Sequence, residues 1–169
     1  MIVYPFACTQ GHSIQIKDSA TSVLQFIDEQ EEGSIAWVVQ RYFERPVLIP
    51  RGRRKFDIRV WALLDEDYNV FVYGQGALRV TAKTYQPGAW DDVYSHLSNH
   101  CIAETHPAYG QYEPTNEIWY EEFEGILREA TEGRVSFHDD VIPRIHEIVV
   151  VTLLAAQDTL MASTSTAYR

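Results

Sequence analysis

The chain has 169 residues, 46% of them hydrophobic, and a formal net charge of −10. That suits one domain, or one domain and a piece of another, with a real core rather than a disordered coil. It argues against a main partner of DNA or RNA; no apolar run is long enough to span a bilayer, the start lacks the cationic region of a secretory signal, and Cys8 and Cys101 have neither metal nor disulfide spacing, as expected of reduced thiols in the cytoplasm.

Residues 19–30 predict a short helix: Val23, Leu24, Phe26 and Ile27 gather on one side and the Ser/Thr-rich start can cap it. The stretch around Gly33 stops it. The continuous apolar run over residues 35–40 predicts a strand buried on both faces. Pro46 and Pro50 make residues 44–53 an irregular cationic loop. Residues 55–64 predict a strand with Phe56, Ile58, Val60, Ala62 and Leu64 on one face. A polar turn follows, then a second strand to residue 80, which together predict an antiparallel hairpin.

Residues 83–108 have no clear period and read as loop. From about Thr115 a helix is expected, with a stripe of Trp119, Phe123, Ile126, Leu127 and Ala130 and a stop at Gly133. Asp139 or Asp140 then caps a longer helix, striped by Val141, Ile145, Ile148, Val149, Thr152, Leu153 and Ala156, with Pro143 tolerated in its first turn. The small polar tail from Met161 is expected to fray. The sum is an α+β fold, a small mixed or antiparallel sheet with helices on one side.

Seven of the fourteen Lys and Arg residues fall between Arg41 and Arg59, opposed there by Glu44 and Asp57 alone. This window is therefore +5 and the remainder −15, a cationic island in an acidic chain that suggests a grip on anions. Strand alternation puts Lys55, Asp57 and Arg59 on one face. The bland account is a solvated face with cross-strand ion pairs. Against it stand the apolar opposite face, the continuation of the charged face into Trp61 and Leu63, and a further cation, Arg79, on the neighbouring strand. Two cations beside a carboxylate suit phosphoryl and acyl-phosphate chemistry.

Other chemistries lack their residues. There is no Walker A sequence, no Gly-x-Gly-x-x-Gly and no Gly-x-Ser-x-Gly elbow. Gly74-Gln75-Gly76 is too short to cradle a phosphate and reads as a bulge or strand end. His96 and His100 would help hold zinc on a helix, which this stretch does not resemble.

Four ordered segments carry a resemblance: Gln40-Arg41-Tyr42-Phe43-Glu44-Arg45-Pro46, Arg54-Lys55-Phe56-Asp57-Ile58-Arg59, Gly76-Ala77-Leu78-Arg79, and His96-Leu97-Ser98-Asn99-His100-Cys101-Ile102. Together they closely resemble the tubulin–tyrosine ligase family, over roughly residues 23–123. The resemblance implies an ATP-grasp fold, incomplete here. Residues 1–43 would be a remnant of the central subdomain ending in a hinge, and residues 44–169 the C-terminal subdomain without its final strands.

It also implies roles. Gln40, Arg41, Tyr42 and Phe43 would form the hinge whose backbone holds adenine. Lys55 and Asp57 would lie at the nucleotide's phosphates, Arg59 near the reacting carboxylate, and Arg79 on a phosphate. Ser98 and Asn99 would match a stretch that contacts nucleotide. Lys55, Asp57 and Arg59 are thus the expected catalytic set, with ATP and Mg2+ as cofactors and no metal ligand placed in this chain. The implied partners are the α-tubulin C-terminal tail and free tyrosine, in the cytoplasm and on the cytoskeleton, with no nucleic acid and no membrane.

The implied reaction phosphorylates the tail carboxylate and lets the tyrosine amine displace phosphate. Asn99-His100-Cys101-Ile102 resembles the tyrosine-adding type; glutamate- or glycine-adding ligation is the alternative, as is an inactive tubulin- or nucleotide-binding remnant. The family's upstream lysine and downstream Glu-x-Asn metal segment are not matched. Gly11-His12-Ser13-Ile14 is the one candidate for the end of a phosphate loop, and ligation by this chain alone is not expected.

Overall fold

A computed structural model describes residues 1–6, 13–30 and 36–167, and the side chains of these as far as residue 160. Cys8, Gly11, His12, Gly33 and Ile35 lie outside the described residues. The fold is α+β with antiparallel strand pairs and packed helices, in two compact units. One comprises residues 1–58 and 78–118, the other residues 59–77 and 119–169.

The first unit opens with β1 (Ile2–Pro5), β2 (Gln15–Ile16), α1 (Ala20–Asp28) and β3 (Trp37–Gln40). Helix α1 starts where the sequence predicts: the Ser19 hydroxyl accepts from the Ser22 amide while Ser22 accepts from the Ser19 amide, a reciprocal cap. The strands pair antiparallel in the order β2-β1-β3. Strand β3, an edge of this sheet, is not buried on both faces as its apolar run suggests, because Val39 is 41% exposed.

The second sheet runs β4 (Leu48–Ile49), β5 (Arg54–Arg59), β8 (Ala77–Val80), β9 (Glu117–Trp119). Residues 83–108 are not simply loop, because α2 (Val93–His96) and α3 (His100–Ala103) form short helical turns there. At four residues each they are too brief to leave a period in the sequence. They close a core of Ile16, Tyr42, Leu97 and Ile102, with Trp90 and Tyr94 against it.

Asn116 ties the following segment down. It sits in the left-handed region (φ 54°), its Nδ2 donates to the carbonyls of Val80 and Thr81, and its Oδ1 accepts from the Gly110 amide at 2.7 Å. Strand β9 therefore occupies the place where the sequence suggests the first turn of a helix.

The predicted hairpin exists as β6 (Ala62–Leu64) and β7 (Val70–Val72), paired Ala62↔Val72 to Leu64↔Val70. Both long strands predicted for it are interrupted, between β5 and β6 and between β7 and β8. The cause lies in the second unit. The Tyr120 hydroxyl donates to the Arg59 carbonyl at 2.8 Å, and its ring lies so close to Gly76 that a Cβ there would be 2.3 Å from it. Gly74-Gln75-Gly76 is accordingly a strand interruption.

Helix α4 (Tyr120–Ala130) begins later than predicted, with Trp119 flanking it and 56% exposed. Its end follows the sequence signal, since the Gly133 amide (φ 75°) donates to the Arg128 carbonyl at 2.8 Å. A π-helical turn (Phe137–Val141) leads into α5 (Ile142–Ala167). The cap is Ser136 rather than an aspartate: its hydroxyl accepts from the Asp139 amide at 3.1 Å, and Asp140 accepts from the Ser136 amide at 2.8 Å. The backbone stays helical through Ala167, past the point where fraying is expected. Of the predicted stripe, Val141, Ile145, Val149, Leu153 and Ala156 are half-buried, whereas Ile148 is 65% exposed and Thr152 is exposed.

Phe137, fully buried, centres this unit against the rings of Tyr120 and Phe123. Among the described residues no helix is long and apolar enough to cross a membrane.

Candidate nucleotide and carboxylate site

Strand β5 sorts the cationic island by pleat. Arg54 points inward and is fully buried, so the face opposite Lys55 is not wholly apolar. Its Nη2 donates to both carboxylate oxygens of Glu113, at 2.6 and 2.7 Å, and its guanidinium lies 4.3 Å from the centre of the Tyr112 ring. A buried arginine survives only with such a partner. The loop arginines Arg41, Arg45, Arg51 and Arg53 are exposed. One charge run thus contains two physically different groups: a buried structural cation and solvated ones.

On the other face, Lys55 Nζ donates to the His96 carbonyl at 2.8 Å and to the Tyr42 hydroxyl at 3.3 Å, 4.8 Å from the Tyr42 ring centre. Burial lowers its pKa below the usual lysine value, and the Asp57 charge opposes that in part. Burial likewise raises the pKa of the Tyr42 hydroxyl.

Asp57 meets Arg79 of the neighbouring strand β8 at 2.7 Å and accepts from the Ser98 hydroxyl. So the bland account holds in part: there is a cross-strand ion pair. Both partners nonetheless remain about one-third exposed, able to meet a ligand.

The hinge residues lie at the end of β3. Gln40 accepts from the Tyr4 hydroxyl at 3.3 Å, Phe43 is 79% exposed, and Tyr42 is buried. A cavity of about 340 Å³ opens there, lined by Asp18, Arg41, Tyr42, Phe43 and Arg45 among others. That is within the size range of small-ligand pockets. Asn99 caps α3, its carbonyl accepting from the amides of Ile102 and Ala103.

Lys55, Asp57, Arg79, Ser98, Asn99 and the hinge therefore all belong to the first unit. Arg59 falls in the second, exposed, its backbone carbonyl held by Tyr120. Among the described residues no three of His, Cys, Asp or Glu come together. Asp57 is committed to Arg79 and Ser98.

Sequence reasoning missed Glu113 and His96. Glu113 gives no local signal, being 59 residues from its partner. His96 was legible as the first residue of the His-Leu-Ser-Asn segment, but its use is internal. It is fully buried, packed by Tyr42, Tyr85 and Trp90, and burial lowers its pKa.

Comparison with known proteins gives a consistent result. The tubulin-tyrosine ligase family matches residues 1–169. The chain is 30% identical over 165 residues to tubulin glycylase 3D of Tetrahymena thermophila, covering 94% of this chain and 15% of that protein. To tubulin monoglycylase TTLL3 of Danio rerio it is 30% identical over 169 residues, covering 94% and 21%. To the probable tubulin polyglutamylase ttll-9 of Caenorhabditis elegans it is 32% identical over 108 residues, covering 62% and 25%. The chain thus spans a quarter or less of the length of these relatives.

Proposed function

Because the chain belongs to the tubulin-tyrosine ligase family, we propose that it carries the nucleotide- and carboxylate-handling strand of an ATP-dependent ligase that joins an amino acid to tubulin. The observation that supports this best is the gathering, within one unit, of segments far apart in sequence: the hinge at Gln40 to Phe43, Lys55 and Asp57, Arg79, and Ser98 with Asn99.

On this reading the hinge cavity takes adenine, and Lys55 and Arg79 face the phosphates. A carboxylate oxygen of the acceptor attacks the γ-phosphorus, giving an acyl phosphate and ADP. The amino group of the incoming amino acid then attacks the acyl carbon; the new C–N bond forms, phosphate leaves, and the amine gives up a proton. Lys55 and Arg79 neutralise charge on the transferring and leaving oxygens. Asp57 holds Arg79 in place, and Ser98 holds Asp57. Magnesium, when bound with the nucleotide, would neutralise phosphate charge. Residues 1–43 are then the end of a central ATP-grasp subdomain and residues 44–169 belong to the C-terminal one, in a protein of the cytoplasm and its microtubules.

The amino acid is the finer question. Glycine is favoured by the glycylase names of relatives aligned over 94% of the chain. Tyrosine, added to the α-tubulin C-terminus, is the second reading, on the strength of Asn99-His100-Cys101-Ile102. Titration of MgATP into the chain tests the site: binding is expected, with loss in Lys55→Ala and Arg79→Ala. A wild-type chain that binds no nucleotide would remove the reading. Labelled glycine, glutamate and tyrosine, each offered with ATP and tubulin to the whole protein, separate the acceptor chemistries by which label enters tubulin.

A further inference from the structure

Lys55 is the one cation of β5 that is half-buried on the ligand side, and a flexible four-carbon amine is a poor positioner unless its head is fixed. Two acceptors and one ring fix it, and both acceptors lead to a single residue, His96. The His96 Nε2 lies 3.1 Å from the Ala89 carbonyl. A carbonyl can only accept, so Nε2 carries the proton and Nδ1 is left as an acceptor. The Tyr42 hydroxyl, 2.8 Å from Nδ1, donates to it. With its proton committed there, the Tyr42 oxygen presents its lone pairs to Lys55 Nζ at 3.3 Å. The second acceptor of Lys55 is the His96 backbone carbonyl itself, at 2.8 Å. The imidazole is clamped by the rings of Tyr42, Tyr85 and Trp90, with centroids 5.1 to 5.6 Å away.

We propose that His96 is a positioning residue for Lys55: as the Nε2–H tautomer it orients the Tyr42 hydroxyl, and through that hydroxyl and its own carbonyl it holds the lysine head at one place beside β5. The role of Lys55 toward phosphate rests on the reading above; the positioning does not. His96 is fully buried, so it acts through Tyr42 and Lys55 and touches no ligand. The other charged and titratable groups around this knot are Asp57, Asp92, Tyr85 and Glu44.

The chain holds three lysines, Lys17, Lys55 and Lys83, which makes a direct measurement practical. Protein labelled with 13C at lysine Cε gives three lines, and Lys55→Arg assigns the one of interest. Without nucleotide, the Lys55 line is expected to titrate below the usual lysine value. Tyr42→Phe keeps the ring but removes the hydroxyl acceptor, and moves the Lys55 titration down by about half to one pH unit, the scale of one ordinary hydrogen bond. His96→Leu moves it in the same direction by less. His96→Gln, whose amide can both donate to Ala89 and accept from Tyr42, restores the wild-type curve. In all three variants the Lys17 and Lys83 lines stay in place.

A Lys55 line unmoved in Tyr42→Phe and His96→Leu overturns the proposal. So does a shift of all three lysine lines together, which marks general repacking, or a His96→Gln protein that behaves like His96→Leu. If His96→Leu does not fold, Tyr42→Phe against His96→Gln decides alone. No ATP is present, so failure here is separate from failure of the ligase reading.

Discussion

The two units are stabilised by opposite means. The first buries polar groups in matched sets: Arg54 with Glu113, Lys55 with Tyr42 and His96, Asn116 with three backbone groups. The second is organised by rings, Phe137 against Tyr120 and Phe123; both units leave some large apolar side chains in the open, in the first Phe43 and Val47 among them. In the second, Leu63 is 64% exposed, Phe71 54%, Ile148 65% and Val151 65%. Buried polar networks fix side chains at defined places, which a site that handles phosphate requires; apolar contacts tolerate slippage. The unit that gathers most of the candidate site residues is thus the one whose interior specifies geometry rather than merely filling volume.

The contrast can be broken by mutation. The four tryptophans divide evenly, Trp37 and Trp90 in the first unit and Trp61 and Trp119 in the second, so fluorescence of single-tryptophan variants reports each unit in urea. Arg54→Met leaves Glu113 as an uncompensated buried charge and should cost the first unit about 3–5 kcal/mol. Arg54→Met with Glu113→Leu should recover most of that. A double variant as unstable as the single would mean that the pair acts by attraction alone and not by mutual neutralisation.

In the second unit, Gly76→Ala drives a methyl into the Tyr120 ring and should cost about 1–3 kcal/mol. Combined with Tyr120→Ala, the total loss should be smaller than the sum of the two singles. Strict additivity would show that the ring and the glycine do not compete for space.

The third test uses pH. Glu124 accepts from the amides of Phe137 and His138, at 2.6 and 3.1 Å, and from Arg128. These bonds, the Arg128 contact foremost, hold its pKa down to about 2 from the ordinary 4.5. A carboxyl depressed on folding contributes stability that is fully present above 4.5 and lost as pH falls toward 2. Glu124→Gln should therefore flatten the acid limb of second-unit stability in that window, measured as urea midpoint against pH.

The smallest expected effect has the opposite sign. Lys55 is depressed below the usual lysine value by burial. Its stabilising share is present only above 10.5, so at neutral pH its ammonium costs stability. Lys55→Met should raise the first-unit midpoint slightly while abolishing ATP binding. A fall in both would mark Lys55 as structural.

What was legible in the sequence followed range. Helix α1 and its cap, the β6–β7 hairpin and the Gly133 stop depend on residues a few positions apart, and the structure has them where local patterns put them. Long-range partners decided the rest. Tyr120 cuts two strands that read as continuous, because its hydroxyl takes the Arg59 carbonyl and its ring needs Gly76 bare. Arg54 read as one more cation of the island because Glu113, its partner, lies far along the chain. For the site, the segments holding Lys55, Asp57, Arg79 and Ser98 were visible as motifs. That Ser98 and Arg79 both close on Asp57, and that Tyr42 and His96 close on Lys55, needed three dimensions.

Asn116 shows how little freedom such a position leaves to evolution or to ageing. Its amide spends its nitrogen on two carbonyls and its oxygen on one amide. Aspartate differs by a single atom, yet would turn that donor into an acceptor aimed at two other acceptors. Glutamine carries the right groups on an arm one carbon too long, and most other residues resist the left-handed backbone. Spontaneous loss of ammonia from this one side chain would therefore act as a point mutation made after synthesis, and the tight hold on its amide is also what shields it from that chemistry.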